Sequence, residues 1–340
     1  MKNFLIIVFL YFSINRLTNF LKNSSLNLKV VKNIDFLFLI RPTSYFIIWL
    51  VLCVGMYIPA FAYDDIQLFV KEFNLNTFVF FVSITFFSVF YLVNDQLINV
   101  ENNYLLKKKY DIVFLNKLKM ISFLISVLLM IIACWPLMFV LILFYMLSDK
   151  FFNSINVLNV NYVCYQIFSI ILLLYIGIYF KIFQSNLLFS FDIFQFSIPY
   201  ILLLLSIYLL HNIYSLINKN IFSSNSIVSL TALLINLLAL LLLLIFQDPL
   251  GSTILSVIIF FNFYAFLRGE RKDYLRTVRY GIGILNYFML IVYPILFIPI
   301  LILFYVSKYY YWHRFDMHYP TFLVTKNTYC PIDLVLKGKK

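Results

Sequence analysis

The stretch Asn94-Asp95-Gln96-Leu97-Ile98-Asn99-Val100-Glu101-Asn102-Asn103 gathers hard oxygen ligands directly after an apolar run. Written as a helix, it puts Asp95 one turn from Ile98 and Asn99, with Asn94, Glu101 and Asn102 near one face two turns apart. Carboxylate and amide oxygens at that spacing suit Mg²⁺, which prefers a carboxylate or two plus substrate phosphates and water. The same residues also suit the plain end of a membrane span, so the spacing leaves both readings open. Two groups of cations stand nearby: Lys107-Lys108-Lys109 follow the stretch, and Arg41-Pro42 precede the first apolar run. Cations beside oxygen ligands supply the charge compensation that a diphosphate needs. A second polar stretch, His211-Asn212-Ile213-Tyr214-Ser215-Leu216-Ile217-Asn218-Lys219-Asn220, carries no acid. Its Lys219 can neutralise a phosphate as a point charge in place of a metal.

The elements that position these residues are dictated by composition. Of the 340 residues, 64% are hydrophobic and 12% charged, against roughly 45–50% and 25% in soluble domains. That excludes a water-soluble protein. At roughly 20 apolar residues per crossing, the length allows about eight to ten spans and no large soluble domain. Apolar runs fall near 43–62, 77–93, 120–148, 162–180, 187–210, 226–247, 249–267 and 280–307. The third is long and holds Pro136 in its centre, where proline removes a donor and breaks a helix.

Charge decides how that run is counted. Splitting it puts loops 97–119, 211–225 and 268–279 on one side with the basic N-terminal stretch, and Asp64, Asp65, Glu72 and Asp248 on the other. That arrangement follows the positive-inside tendency and predicts about nine transmembrane helices with the N-terminus cytoplasmic. The basic tail after Lys308 then falls on the opposite side, against the tendency. The expected fold is an all-α polytopic integral membrane bundle around a central cavity. Residues 1–38 form an interfacial amphipathic lead-in, 39–307 the bundle, and 308–340 an aromatic and basic tail. The net charge of +12 reads mainly as orientation charge and contact with membrane lipids, and no nucleic-acid surface is apparent. Cys53, Cys134, Cys164 and Cys330 suggest neither a disulfide framework nor zinc. His313 and His318 are spaced poorly for a helical ligand pair, and His211 reads as an interface histidine.

The layout resembles the UbiA superfamily of membrane prenyltransferases. The resemblance covers most of residues 34–305 and rests on order: Arg41-Pro42 before span one, Asn94-Asp95 ending span two, a basic stretch before span three, Gly177-Ile178-Tyr179-Phe180-Lys181 after span five, and Tyr214 after span six. The family's first signature, N-D-x-x-D-x-x-x-D, is matched at Asn94 and Asp95; Ile98 and Asn102 occupy the later aspartate positions. Its second, D-x-x-x-D, aligns with Ser215 and Lys219. The resemblance implies an isoprenyl diphosphate held through Mg²⁺ between the two loops, and transfer of its polyprenyl group to a membrane-embedded acceptor. Asn94 and Asp95 would hold the leaving group, with Glu101 and Asn102 as further metal ligands and Arg41, Lys107, Lys108, Lys109, Lys181 and Lys219 on the diphosphate. The same residues admit a non-enzymatic alternative, a degenerate relative that binds an isoprenoid lipid or serves as a membrane subunit of an assembly. A transporter fits less well, because few charges fall at mid-span.

Overall fold

The computed structural model describes residues 43–63, 73–98, 112–153, 159–187, 189–218, 221–303 and 305–306. Its helices are α1 Thr43–Ala62, α2 Leu75–Ile98, α3 Ile112–Asn153, α4 Asn159–Ser185, α5 Phe191–His211, α6 Ile213–Asn218, α7 Asn225–Ile245, α8 Pro249–Arg268 and α9 Arg271–Val292, followed by a 3₁₀ turn at Pro294–Leu296. The described elements are all helical, and six helices among them are long and apolar enough to cross a membrane. The lead-in 1–38 and the tail 308–340, with His313 and His318, lie outside the described residues.

Local chemistry sets several boundaries. Asn74 Oδ1 accepts from the Thr77 amide at 2.9 Å and starts α2. Ser224 caps α7 by accepting from Ile227 N. Asp248 caps α8 ahead of Pro249, and Gly269 closes that helix in the left-handed region at φ 66°, where a side chain would be strained.

α3 is two helices joined by a break. Cys134 takes φ −162°, ψ 86°, two residues before Pro136, whose ring would otherwise meet the carbonyl one turn back. The arms then fold on each other: Phe123 and Tyr145 stack at 4.5 Å, and the Tyr145 hydroxyl donates to Met120 Sδ. Residues 112–133 and 135–153 span about 33 Å and about 28 Å at 1.5 Å per residue. Both arms pack on α2, through Ser83 Oγ donating to Ser126 O at 2.7 Å and through Phe90, whose ring lies 5.3 Å from Phe123 and 5.5 Å from Tyr145.

The last apolar run, 280–307, is not a single helix. α9 begins at Arg271 and ends where Tyr293 turns extended (φ −146°, ψ 86°) before Pro294. Hydropathy over a window sees continuous apolar sequence there, whereas the missing proline amide and its effect on the preceding residue end the helix.

Contacts between helices give the bundle two ends. At one, Tyr91 of α2 stacks on Tyr165 of α4, Tyr208 of α5 donates to Gln166 of α4, and Leu209, Ile213, Val228, Ala265 and Tyr274 share one apolar cluster. At the other, Tyr57 of α1 donates to Asp248, Phe196 packs between Phe61 and Phe246, and Gln184 of α4 donates to Thr77 of α2. The described flanks of loops 97–119, 211–225 and 268–279 therefore share the first end, and Asp248 sits at the second.

α1 and α4 run in the same direction and cross at two glycines. A Cβ on Gly55 would stand 2.2 Å from the Leu174 carbonyl oxygen, and one on Gly177 2.4 Å from that of Leu52. Only hydrogen at these positions lets the backbones touch.

Candidate functional site

Asn94 is the sequence-expected residue that the structure places most informatively. Its side chain is 4% exposed, and its Nδ2 has no hydrogen-bond partner. A turn earlier on the same helix, the Tyr91 hydroxyl lies 3.4 Å from Ser169 Oγ of α4, and Tyr91 and Phe144 both face Tyr165. Next to this group, Tyr208 donates to Gln166 Oε1 at 2.7 Å. Asn94 thus follows, one turn on, a level of α2 at which α4 and α5 contribute hydroxyls and an amide.

About one turn back along α2, at Tyr91, lies a cavity of about 130 Å³ between α1, α2, α4 and the second arm of α3. Ile48, Val51, Phe87, Phe144, Ile170 and Leu173 line it, with Ser88, Tyr91 and Ser169 supplying its hydroxyls. Ser88 and Ser169 are engaged within their own helices, donating to Ile84 O and Tyr165 O. The walls left for a guest are almost wholly apolar.

The structure does not bring all the expected residues together. Lys181 is inside α4, not in a loop after it, and its ammonium lies 5.3 Å from the centre of the Tyr293 ring. Tyr293 donates to Gln184 Oε1 at 2.9 Å, and Gln184 donates onward to Thr77. Those partners belong to the Asp248 end, so about 17 residues of α2, or roughly 25 Å of helix, separate the level of Lys181 from that of Asn94. Lys181 consequently leaves the diphosphate set. Asp95, Tyr214 and Ser215 fall within α2 and α6, but their side chains lie outside the described residues, as do Arg41, Glu101, Asn102, Lys107, Lys108, Lys109 and Lys219 altogether.

The arginine-rich corner between α8 and α9 is committed elsewhere. Asp273, 1% exposed, pairs with Arg268 Nε at 3.2 Å and with Arg276 Nη1 at 3.2 Å. Arg268 also pairs with Glu270 and donates to the Tyr264 hydroxyl. Among the described side chains, Arg268 and Arg276 are thus balanced by Glu270 and Asp273.

Sequence reasoning missed Tyr91, Gln166, Ser169 and Tyr208. The spacing of Ser88, Tyr91 and Asn94, three residues apart on one helical face, was a readable signal for the first. It also took Asp248 only as an orientation charge. Asp248 is buried, its Oδ1 accepting from the Tyr57 hydroxyl at 2.9 Å and from Gly251 N at 2.8 Å, and its Oδ2 accepting from Tyr200. Asp-Pro-x-Gly is a helix-start pattern, so the cap was legible although the tyrosines were not.

Of the expected Mg²⁺ ligands only Asn94 has a described side chain, and the buried atom it leaves unmet is its Nδ2 donor, which a cation cannot use. Among the described residues, no group of three or more His, Cys, Asp or Glu side chains is gathered to hold a metal ion. No family model, curated protein or solved structure matches the chain.

Proposed function

We propose that this chain is a UbiA-like membrane transferase that moves a polyprenyl group from its diphosphate to a membrane-embedded acceptor, at the end of the bundle carrying Asn94. One observation carries the reading: the buried Asn94 Nδ2, a donor with no hydrogen-bond partner, stands one turn along α2 from Tyr91, which lines an apolar cavity, an order that suits a diphosphate head and an isoprenoid tail. The break in α3 supports it. Counting the two arms separately, with α1 and α9, gives nine crossings, puts the three basic loops on one side and makes that side, with the N-terminus, cytoplasmic.

In this reading Asn94 and Asp95 hold the leaving group, while Lys107, Lys108, Lys109 and Lys219 neutralise its phosphates. Bound Mg²⁺ would supply further charge compensation for the departing diphosphate. The apolar walls exclude water from the allylic carbon as its bond to oxygen weakens, and the aromatic rings among them, Phe87, Tyr91 and Phe144, favour developing positive charge. The two absent acids at Ser215 and Lys219 favour the alternative, a protein that binds an isoprenoid lipid without turning it over.

Purified protein in lipid nanodiscs, incubated with labelled prenyl diphosphate and Mg²⁺, decides between them. Release of diphosphate that falls at least tenfold in Asn94→Ala supports the transferase. Saturable donor binding with no release supports the binding protein, and neither binding nor release refutes both.

A further inference from the structure

We infer that the junction of α5, α7 and α8 holds a file of water molecules reaching from the Asn94 end of the bundle to the level of Asn236. The junction is built from Ser206 of α5, Ser229 and Asn236 of α7 and Asn262 of α8, all with 0% exposure. One hydrogen bond is internal, Ser206 Oγ donating to Asn236 Oδ1 at 2.5 Å. Asn236 Nδ2, Ser229 Oγ and both side-chain polar atoms of Asn262 have no protein partner, and Asn225 Oδ1 at the start of α7 has none either.

The helices bring these groups to one seam. The buried stripe of α7 runs Val228, Ser229, Ala232, Leu233, Asn236 and Ala239, and that of α8 runs Ile254, Leu255, Ile258, Asn262 and Ala265. Ala232 and Ala265 belong to one cluster. Ser229, Asn236 and Asn262 each stand within about one turn of that contact, roughly 5 Å along an axis. Asn225, Ser229 and Asn236 share a face of α7 and descend about 16 Å from its first residue, about half of a hydrocarbon core of about 30 Å.

The chemistry of the orphaned groups selects the guest. Leaving several buried donors and acceptors dry would consume much of the net stability of a folded chain. A cation would satisfy the amide oxygens and leave the Nδ2 groups unmet; an anion would do the reverse. Water donates and accepts, and a buried water typically makes two to four such bonds. The seam lies away from the cavity near Asn94, so this inference stands independently of the transferase reading.

Water-edited solid-state NMR on the full chain, labelled with ¹⁵N-asparagine and reconstituted in bilayers, tests it. The side-chain amide signals of Asn236 and Asn262 are identified by their disappearance in Asn236→Leu and Asn262→Leu. If either variant fails to fold, Asn236→Gln and Asn262→Gln serve the same purpose, because they retain an amide that is not labelled. We expect both signals to gain intensity from water at the mixing time at which exposed Asn186 does. Signals that grow only through slow diffusion within the protein overturn the inference. Signals that move when sodium replaces potassium assign the site to a cation and overturn it as well.

Discussion

Replacing Asp248 tests the strongest energetic claim the structure makes. Its carboxylate receives three donors, the hydroxyls of Tyr57 and Tyr200 and the amide of Gly251, and so ties α1, α5 and α8 together at one end. Asp248→Ala strands all three. At about 1–3 kcal/mol per buried group left unsatisfied, the gross loss is about 3–9 kcal/mol. Removing the buried charge returns several kcal/mol of desolvation, so the net expectation is destabilisation by about 3 kcal/mol. Asp248→Asn keeps Oδ1 for Tyr57 and Gly251 but turns an NH₂ or a rearranged amide toward Tyr200, for about half that cost. Tyr200→Phe in the Asp248→Ala background should recover part of the loss, since it removes a hydroxyl that Asp248→Ala deprives of its carboxylate acceptor. Unfolding in mixed micelles titrated with SDS, followed by tryptophan fluorescence, gives the free energies. An Asp248→Ala variant within about 0.5 kcal/mol of wild type, the ordinary range for inconsequential surface changes, refutes the assignment of Asp248 as a structural tie.

Gly177→Ala should destabilise by about 1–3 kcal/mol, as overpacking does, because its Cβ would stand 2.4 Å from the Leu52 carbonyl oxygen; the same micelle titration measures it, and an unchanged midpoint would mean that α1 and α4 do not touch there. Lys181→Met should leave the affinity for a prenyl diphosphate unchanged while Asn94→Ala weakens it, as read by equilibrium binding in nanodiscs, and equal losses would place the two residues at one site. Cysteine introduced at Glu270 should react with a membrane-impermeant maleimide from the side that labels Lys119→Cys, and cysteine at Gln247 from the opposite side. Labelling of all three from one side would dissolve the two-ended arrangement.

Much of this was legible before any coordinates. Pro136 in an over-long apolar run, read with the lysines and arginines of the neighbouring loops, was enough to expect two helices where hydropathy shows one. The residue that breaks, Cys134, was not legible, because proline constrains several preceding positions and packing chooses among them. The end of the chain misled for a related reason. Averaged hydropathy joins 280–307, yet α9 starts at Arg271, and in its first turns the buried Asp273 carboxylate pairs with Arg276 and with Arg268 of α8. Lys181 is the instructive failure. The parity of about nine crossings already sends the end of the fifth span, the run 162–180, away from Asn94, and only the order of motifs in the resemblance suggested otherwise.

The two ends of the bundle differ in how completely their polar groups are satisfied, and that difference bears on which end works. At the Asp248 end the carboxylate, the Tyr293–Gln184–Thr77–Asn74 chain and a run of edge-to-face aromatic pairs close on themselves, and the buried Lys181 ammonium lies against the Tyr293 ring. Such networks rigidify a fold when every member is met. At the other end, Asn94 keeps an inward-facing donor with no protein partner beside an apolar cavity. Departures from polar satisfaction concentrate where a protein does something besides fold. A stabilising search that replaced Asn94 with leucine would therefore raise the unfolding midpoint while abolishing binding of a polar-headed lipid. If Asn94→Leu instead bound such a lipid as well as wild type, the unmet amide would be a packing accident, and the function would have to be sought elsewhere in the bundle.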